Sequence, residues 1–174
     1  MVATLEERFQ DALGRWKGHC RNNSLHSSAK PYLDCDAYRE IVSMGVSSLP
    51  LIRDQLHQEI ETNERYDNEL KRLKIKVFGT DQVELFGDNY KKMCEDEEYQ
   101  KYQKGYDSEI MSNPGQFWGC VVHDMVGDDF RIKVAEEGPV KPRGCFVTIE
   151  VMGVMQFTLK WLDDNNCKYV SSRI

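Results

Sequence analysis

The sequence predicts a mainly α-helical fold, a bundle built around a helical hairpin, and three observations lead to this prediction. Apolar residues recur at helical spacing in residues 4–20, 36–64 and 116–126. Gly45 lies within residues 36–64, where the first of two helices should end, and Gly127 directly follows residues 116–126; glycine is the residue that most often closes a helix. The length, 174 residues, suits one domain with its own apolar core. We therefore expect a single domain over residues 1–174.

The first helix is predicted from one continuous apolar face. Its members are Leu5, Phe9, Ala12, Leu13, Trp16 and Cys20. Acidic residues occupy the positions between them, as expected for an amphipathic helix on a soluble domain. The polar run that begins at Arg21 marks its end.

A helical hairpin follows between residues 36 and 64. Asp34 or Asp36 can cap its first helix, and Gly45 suits the left-handed conformation of the turn. Pro50 fits the first turn of the next helix, where a missing N–H costs nothing. The apolar positions are Ala37, Ile41 and Val42 in the first helix, and Leu49, Ile52, Leu56 and Ile60 in the second.

The segment 67–112 has a different character, and we interpret it as an insertion between two helical halves. Leu73, Ile75 and Val77 alternate with lysines, which predicts a short strand. The polar, tyrosine-rich stretch that follows predicts a helix over residues 88–104. The insertion is therefore expected to be mixed in structure.

The last third of the chain contains one clear helix and one ambiguous segment. Phe117, Trp118 and Val121 belong to the apolar stripe of the 116–126 helix. Residues 144–162 begin with β-branched residues typical of a strand, yet their apolar pattern also fits a helix. We favour the helix because the pattern is longer than a strand.

Several short motifs together resemble a known family. The run His26 to Ser28, residues 37–56, the Phe117-Trp118 pair and the Trp161-Leu162 pair carry the pattern HSS…AYxxIVxMGxxxLPLIxxxL…FW…WL. This pattern is similar to that of a family of small, functionally uncharacterised bacterial proteins. The portion in residues 41–56 also resembles one HEAT-type helical repeat. The resemblance covers roughly residues 9–58 and 116–170 and implies a helical fold with the 67–112 segment inserted.

Composition narrows the classes of function. The formal net charge is −6, which disfavours nucleic-acid binding, since phosphate neutralisation needs clustered lysine and arginine. No apolar run reaches the ~20 residues that cross a membrane, and the acidic N-terminus does not resemble a secretory signal. The six cysteines are scattered rather than paired, which favours reduced thiols. We therefore expect a cytoplasmic protein that makes no membrane contact.

Neither a metal site nor a catalytic site can be assigned from the sequence. The best metal candidates are His19, Cys20, His26 and Cys35, with His57 and His123 more distant, but they lack the paired spacing of a zinc site. The His26-Ser27-Ser28 run lacks the surroundings of an activated nucleophile. The acidic positions Asp124, Asp128, Asp129, Glu136 and Glu137 lack the spacing of a calcium loop. We assign no catalytic residue, no metal ligand and no cofactor.

The most suggestive feature is the group of tyrosines Tyr99, Tyr102 and Tyr106 among charged residues. Tyrosine is enriched in protein interfaces, so we predict that these three residues bind a protein partner. They could instead pack against the domain itself. The leading hypothesis is a protein-interaction module or accessory subunit; the resemblance adds the context of a bacterial or phage-related multi-component system.

Two other classes of function stay open. The first is a small enzyme whose site is formed by residues distant in sequence; a pocket with convergent ionisable side chains would favour it. The second is a nucleic-acid-associated accessory protein. A basic stripe formed by Lys71, Arg72, Lys74 and Lys76 would favour that second class.

Overall fold

The computed structural model describes residues 3–24, 28–130, 141–143, 146–148 and 151–170. The predicted mainly α-helical architecture is confirmed. The helices are α1 (Leu5–Asn22), α2 (Lys30–Leu33), α3 (Asp36–Ser43), α4 (Leu49–Phe78), α5 (Gly87–Cys94), α6 (Glu97–Glu109), α7 (Trp118–Val126) and α8 (Val151–Val170), with 3-10 turns at Gly45–Ser48 and Gly115–Phe117. Across the described ranges, no helix is both long enough and apolar enough to cross a membrane.

The chain forms two compact units. The first unit comprises Met1–Ile60 and Asn113–Ile174, and the second comprises Glu61–Ser112. Helix α4 contributes its first part to the first unit and the remainder to the second. The interpretation of residues 67–112 as an insertion into a single domain stays a prediction, and the second unit covers nearly the same stretch.

The core of the first unit is built mainly from the stripes that the sequence predicts. Helix α1 buries Phe9, Ala12, Leu13, Trp16 and Cys20, and α4 buries Leu49, Ile52, Leu56 and Ile60. Helices α1 and α3 pack together, as do α3 and α7, and α7 and α8. Trp16 and Trp118 meet edge-on with ring centroids 5.1 Å apart. The apolar residues that recur with the 3.6-residue helical period thus form the buried face of each helix.

The helical hairpin differs from the prediction mainly in its ends. Gly45 has a φ of +64° and closes α3 as expected, and Pro50 lies in the first turn of α4. The N-cap of α3 is Cys35, whereas Asp36 is its first helical residue. Helix α4 does not end near residue 64 but continues to Phe78.

The strand predicted at Leu73, Ile75 and Val77 is wrong, because these residues lie in α4. Leu73 is fully buried and Val77 is partly buried one helical turn further on, whereas Ile75 is 53% exposed. Three alternating apolar residues fit a helix when the middle one faces solvent. In the described part of the second unit, the structured segments are helical.

The helix predicted over residues 88–104 is divided into α5 and α6. Asp96 causes the break, because its Oδ1 accepts hydrogen bonds from the backbone N–H groups of Glu98 (2.9 Å) and Tyr99 (3.1 Å). This is an N-cap, which starts a new helix. The sequence prediction missed this role for Asp96.

The ambiguous segment 144–162 contains both kinds of structure. Strand β1 (Lys141–Arg143) pairs antiparallel with β2 (Phe146–Thr148), with Pro142 opposite Val147. The helical prediction is therefore wrong at Phe146–Thr148 and correct from Val151, where α8 begins. The β-branched residues at the start of the segment favour a strand, and the apolar positions at helical spacing further on favour a helix.

Candidate functional site

The second unit has a small apolar core. Its buried residues are Leu73 on α4, Met93 on α5 and Tyr99 on α6. Partly buried residues surround them: Leu70, Val77, Phe78, Leu85, Cys94 and Tyr102. Because this core is small, aromatic and charged side chains make many of the remaining contacts between α4 and α6.

Four tyrosines form what we call the tyrosine cluster: Tyr66 on α4 with Tyr99, Tyr102 and Tyr106 on α6. The ring centroid of Tyr102 lies 5.6 Å from that of Tyr99 and 5.9 Å from that of Tyr106, and both pairs are stacked. Tyr66 meets Tyr102 edge-on at 5.5 Å. Such pairs contribute beyond the area that they bury. The cluster therefore joins α4 to α6.

Gly105 allows Tyr66 to approach α6 closely. A Cβ atom at Gly105 would collide with the hydroxyl of Tyr66. That hydroxyl donates a hydrogen bond of 3.0 Å to Oε1 of Glu109 on α6. A side chain at Gly105 would therefore displace a ring that both packs and hydrogen-bonds.

Three cations of α4 pair with two carboxylates of α6 and with Asp96, the N-cap of α6, and we call this set the ion-pair row. Its cations are Arg65, Arg72 and Lys76, and its carboxylates are Asp96, Glu98 and Glu109. Nη2 of Arg72 lies 2.5 Å from Glu98, and Nζ of Lys76 lies 2.6 Å from Asp96 and 2.9 Å from Glu98. Arg65 lies 2.5 Å from Glu109. Most of these side chains are about half exposed, so water and salt reach them.

The ion-pair row favours the ionised form of two of its carboxylates, Asp96 and Glu98. Hydrogen bonds from Arg72 and Lys76 lower the pKa of Glu98. Lys76 lowers the pKa of Asp96, and Arg72 lowers that of Glu69 on the same helix. A general acid or base needs a pKa near the working pH. These groups are arranged for charge pairing and not for proton transfer.

A groove of about 880 Å³ opens along this part of the second unit. Its lining combines aromatic rings with charges of both signs: Arg65, Tyr66, Asn68, Glu69, Arg72, Glu98, Lys101, Tyr102 and Glu109. Lys101 is an exposed member of this lining. Lys104, one turn further along α6, is also exposed but does not line the groove.

The three tyrosines predicted to bind a partner differ in exposure. Tyr99 is only 5% exposed and belongs to the core of the second unit. Tyr102 and Tyr106 are half-buried, and of the three only Tyr102 lines the groove. Partner binding by these residues stays a prediction. The tyrosines available for it at the groove are Tyr102 and, from α4, Tyr66.

The basic residues Lys71, Arg72, Lys74 and Lys76 do not form an uninterrupted stripe of available charge. Arg72 pairs with Glu69 and Glu98, and Lys76 pairs with Asp96 and Glu98. Charges already neutralised by carboxylates contribute less to phosphate binding. These four residues therefore give little support to a nucleic-acid-binding function.

The metal candidates that lie within the described residues are not gathered into a site. Nε2 of His19 lies 2.5 Å from the carbonyl oxygen of Pro31, to which it donates. Cys20 is buried, and burial raises its pKa to about 12. His26, Ser27, Glu136 and Glu137 lie outside the described residues. Within the described ranges, no three His, Cys, Asp or Glu side chains are placed to hold a metal ion.

A second group of ionisable side chains lies in the first unit, between α3 and α7. The hydroxyl of Tyr38 donates to Oδ2 of Asp124 at 2.6 Å. Nδ1 of His123 lies 3.3 Å from Oδ1 of the same carboxylate. Burial, followed by the charge of Asp124, raises the pKa of the Cys120 thiol. A nucleophilic cysteine needs a lowered pKa, so this group lacks an activated thiol.

One buried carboxylate, Glu59 on α4, was not predicted from the sequence. It is 2% exposed within the core of the first unit. Its Oε2 accepts from the indole Nε1 of Trp118 (3.1 Å) and the backbone N–H of Gly115 (3.0 Å), and its Oε1 accepts from Gln55 (3.0 Å). The signal was present, because Glu59 stands seven residues after Ile52 on the apolar stripe of α4.

Comparison with protein-family models, with curated proteins and with solved structures found no match.

Proposed function

We propose that this protein is a protein-interaction module whose second unit binds a protein partner at the groove between α4 and α6. The observation that carries the proposal is the groove's lining, in which Tyr66 and Tyr102 lie among side chains of both charges. Tyrosine and arginine are the residues that most often dominate binding energy in interfaces. A role as accessory subunit in a bacterial or phage-related multi-component system follows the family resemblance.

The chemistry of the groove supports binding over catalysis. Two of its three glutamates, Glu69 and Glu98, have lowered pKa values because Arg72 donates to both and Lys76 to Glu98. They are fully ionised at neutral pH and already hold strong donors. Charges of both signs on an aromatic surface suit the complementary polar rim and core of a protein partner.

The matched pair Lys101 and Lys104 provides the test. Both are exposed lysines of α6, but only Lys101 lines the groove. Affinity capture from lysate of the source organism identifies a retained protein, which is then purified. Its Kd is measured for the wild-type chain, Lys101→Glu and Lys104→Glu, with circular dichroism showing that each variant keeps its helix content.

We expect Lys101→Glu to weaken the complex about tenfold or more, because reversed charge opposes an interface built on complementarity. Lys104→Glu should bind within about twofold of the wild type. Equal binding by the two variants would refute the groove as the site. Failure of any protein to bind the purified chain specifically would refute the interaction function itself.

A further inference from the structure

We propose that the second unit is an electrostatic switch: high ionic strength opens it while the first unit stays folded, and the groove is lost with it. The claim that salt regulates partner binding at the groove rests on the proposed function. The claim that salt opens the second unit does not. The proposal follows from a contrast between the two units in what holds each one together.

The first unit is held by an extended apolar core. Its fully buried members include Phe9, Trp16, Ile52, Leu56 and Trp118, contributed by α1, α4 and α7. Apolar burial does not weaken when salt is added. The free energy of unfolding of this unit should therefore respond little to sodium chloride.

The second unit has the opposite balance. Only Leu73, Met93 and Tyr99 are buried in its core, as far as the described residues show. Partly buried apolar side chains, the tyrosine cluster and the ion-pair row supply further contacts in this unit, and the last two join α4 to α6. Segments with few buried apolar contacts open at low free-energy cost. A modest loss of electrostatic attraction is then enough to open this unit.

Salt acts directly on the ion-pair row. Arg72 is 52% exposed and Glu98 is 46% exposed, so mobile ions reach both partners. The Debye length falls from about 8 Å at physiological ionic strength to about 3 Å at 1 M. Because several half-exposed pairs share Arg72, Lys76 and Glu98, screening weakens them together.

Acid should act in the same direction. The charged and titratable groups that face the row are Arg65, Tyr66, Glu69, Arg72 and Lys76 from α4, and Asp96, Glu98, Lys101, Tyr102 and Glu109 from α6 and its N-cap; Lys92 of α5 lies over the ring of Phe78. Asp96 and Glu98 have pKa values lowered from their ordinary 3.8 and 4.5. Their stabilisation is complete above those ordinary values and is lost as the pH falls through the lowered ones.

Hydrogen–deuterium exchange of the full chain, resolved by mass spectrometry, tests the switch without any partner. Helix α4 provides an internal comparison, because its residues 49–60 belong to the first unit and 61–78 to the second. We expect exchange in 61–78 and 97–109 to accelerate about fivefold or more between about 50 mM and about 1 M sodium chloride. Exchange in 49–60 and 118–126 should change less than about twofold.

Neighbouring glutamates give the matched variants. Glu98→Gln removes the carboxylate that serves both Arg72 and Lys76, whereas Glu97→Gln changes the preceding residue in the same turn, outside the ion-pair row. Glu98→Gln should exchange faster at low salt and lose most of its salt response. Glu97→Gln should follow the wild type.

The proposal is overturned if both units respond equally to salt, or if Glu98→Gln retains the full salt response. These outcomes are separate from the proposed function. Exchange can confirm the switch while Lys101→Glu leaves partner binding intact, and partner binding can map to the groove while exchange shows no salt response.

Discussion

Replacing Glu59 with alanine should destabilise the first unit by about 3 kcal/mol. The change leaves the indole N–H of Trp118, the backbone N–H of Gly115 and the side-chain amide of Gln55 without their acceptor. A buried polar group left unsatisfied costs about 1–3 kcal/mol, so three such groups give roughly 3–9 kcal/mol. Removing a buried charge offsets part of that cost, because burial opposes ionisation of this carboxyl.

Glu59→Gln separates the hydrogen bonds from the charge. The amide oxygen can still accept from Trp118 and Gly115, and the amide of Gln55 can turn to accept from the new NH₂ group. We therefore expect a cost of less than about 1 kcal/mol at neutral pH. Alanine at the exposed Glu61 serves as the control and should change the free energy of unfolding by no more than about 0.5 kcal/mol.

The wild type and Glu59→Gln should also differ in how their stability depends on pH. Burial raises the pKa of Glu59 above its ordinary 4.5 in the folded state. A raised pKa means that the folded state binds the proton more tightly, so its stabilising contribution is greatest below 4.5 and is lost as the pH rises through the folded pKa. The stability of the wild type relative to Glu59→Gln should therefore decline from acid to neutral pH.

Urea unfolding followed by tryptophan fluorescence is the assay. Trp16, Trp118 and Trp161 all lie in the first unit, so the signal reports that unit alone. Unfolding of Glu59→Ala at the wild-type urea midpoint would contradict this prediction. Equal instability of Glu59→Gln and Glu59→Ala would also contradict it, since hydrogen bonding would then not be the cause.

Three further predictions concern packing and backbone geometry. Tyr99→Ala should destabilise the second unit by about 3 kcal/mol, and Tyr106→Ala by clearly less, as measured by circular dichroism in urea; equal costs would contradict the burial difference. Gly105→Ala should cost about 1–2 kcal/mol in the same assay, but less in a Tyr66→Phe background, and identical costs in both backgrounds would exclude the hydroxyl clash. Gly127→Ala should lower the stability of the first unit by about 2 kcal/mol in the fluorescence assay, because φ +66° and ψ −135° are strained for alanine; a neutral effect would count against this explanation.

The parts of the fold that the sequence predicts correctly are those with long periodic stripes. Eighteen residues of α1 repeat the helical period several times, and its buried residues match the predicted face. The three positions Leu73, Ile75 and Val77 are too few to separate a period of 2 from one of 3.6. Tertiary packing decided between them by burying Leu73 and leaving Ile75 exposed.

The candidate site was only partly predictable, for a different reason. The spacing of Tyr99, Tyr102 and Tyr106 is a local property, and it identifies their shared helix face. Tyr102 and Tyr106 contact Tyr66, which is far away in the chain, and Gly105 leaves room for that ring. Tyr99 is likewise buried with Leu73, a distant residue of α4. A single sequence contains no sign of such pairing, so it became visible only in the structure.

The division of the first unit into two chain segments has a consequence for its folding during synthesis. The second unit is complete once residue 112 has been made, whereas α1, α3 and the start of α4 must wait for α7 and α8 to cover their apolar faces. Domains acquire structure as they leave the ribosome. The second unit can therefore fold before the first, although the first unit begins earlier in the chain. Once it folds, a connection of about 50 residues no longer has to close as a flexible loop, which reduces the entropy lost when Glu59 meets Gly115. The helices of the second unit would thereby act as an intramolecular folding aid for the two chain segments on either side of them.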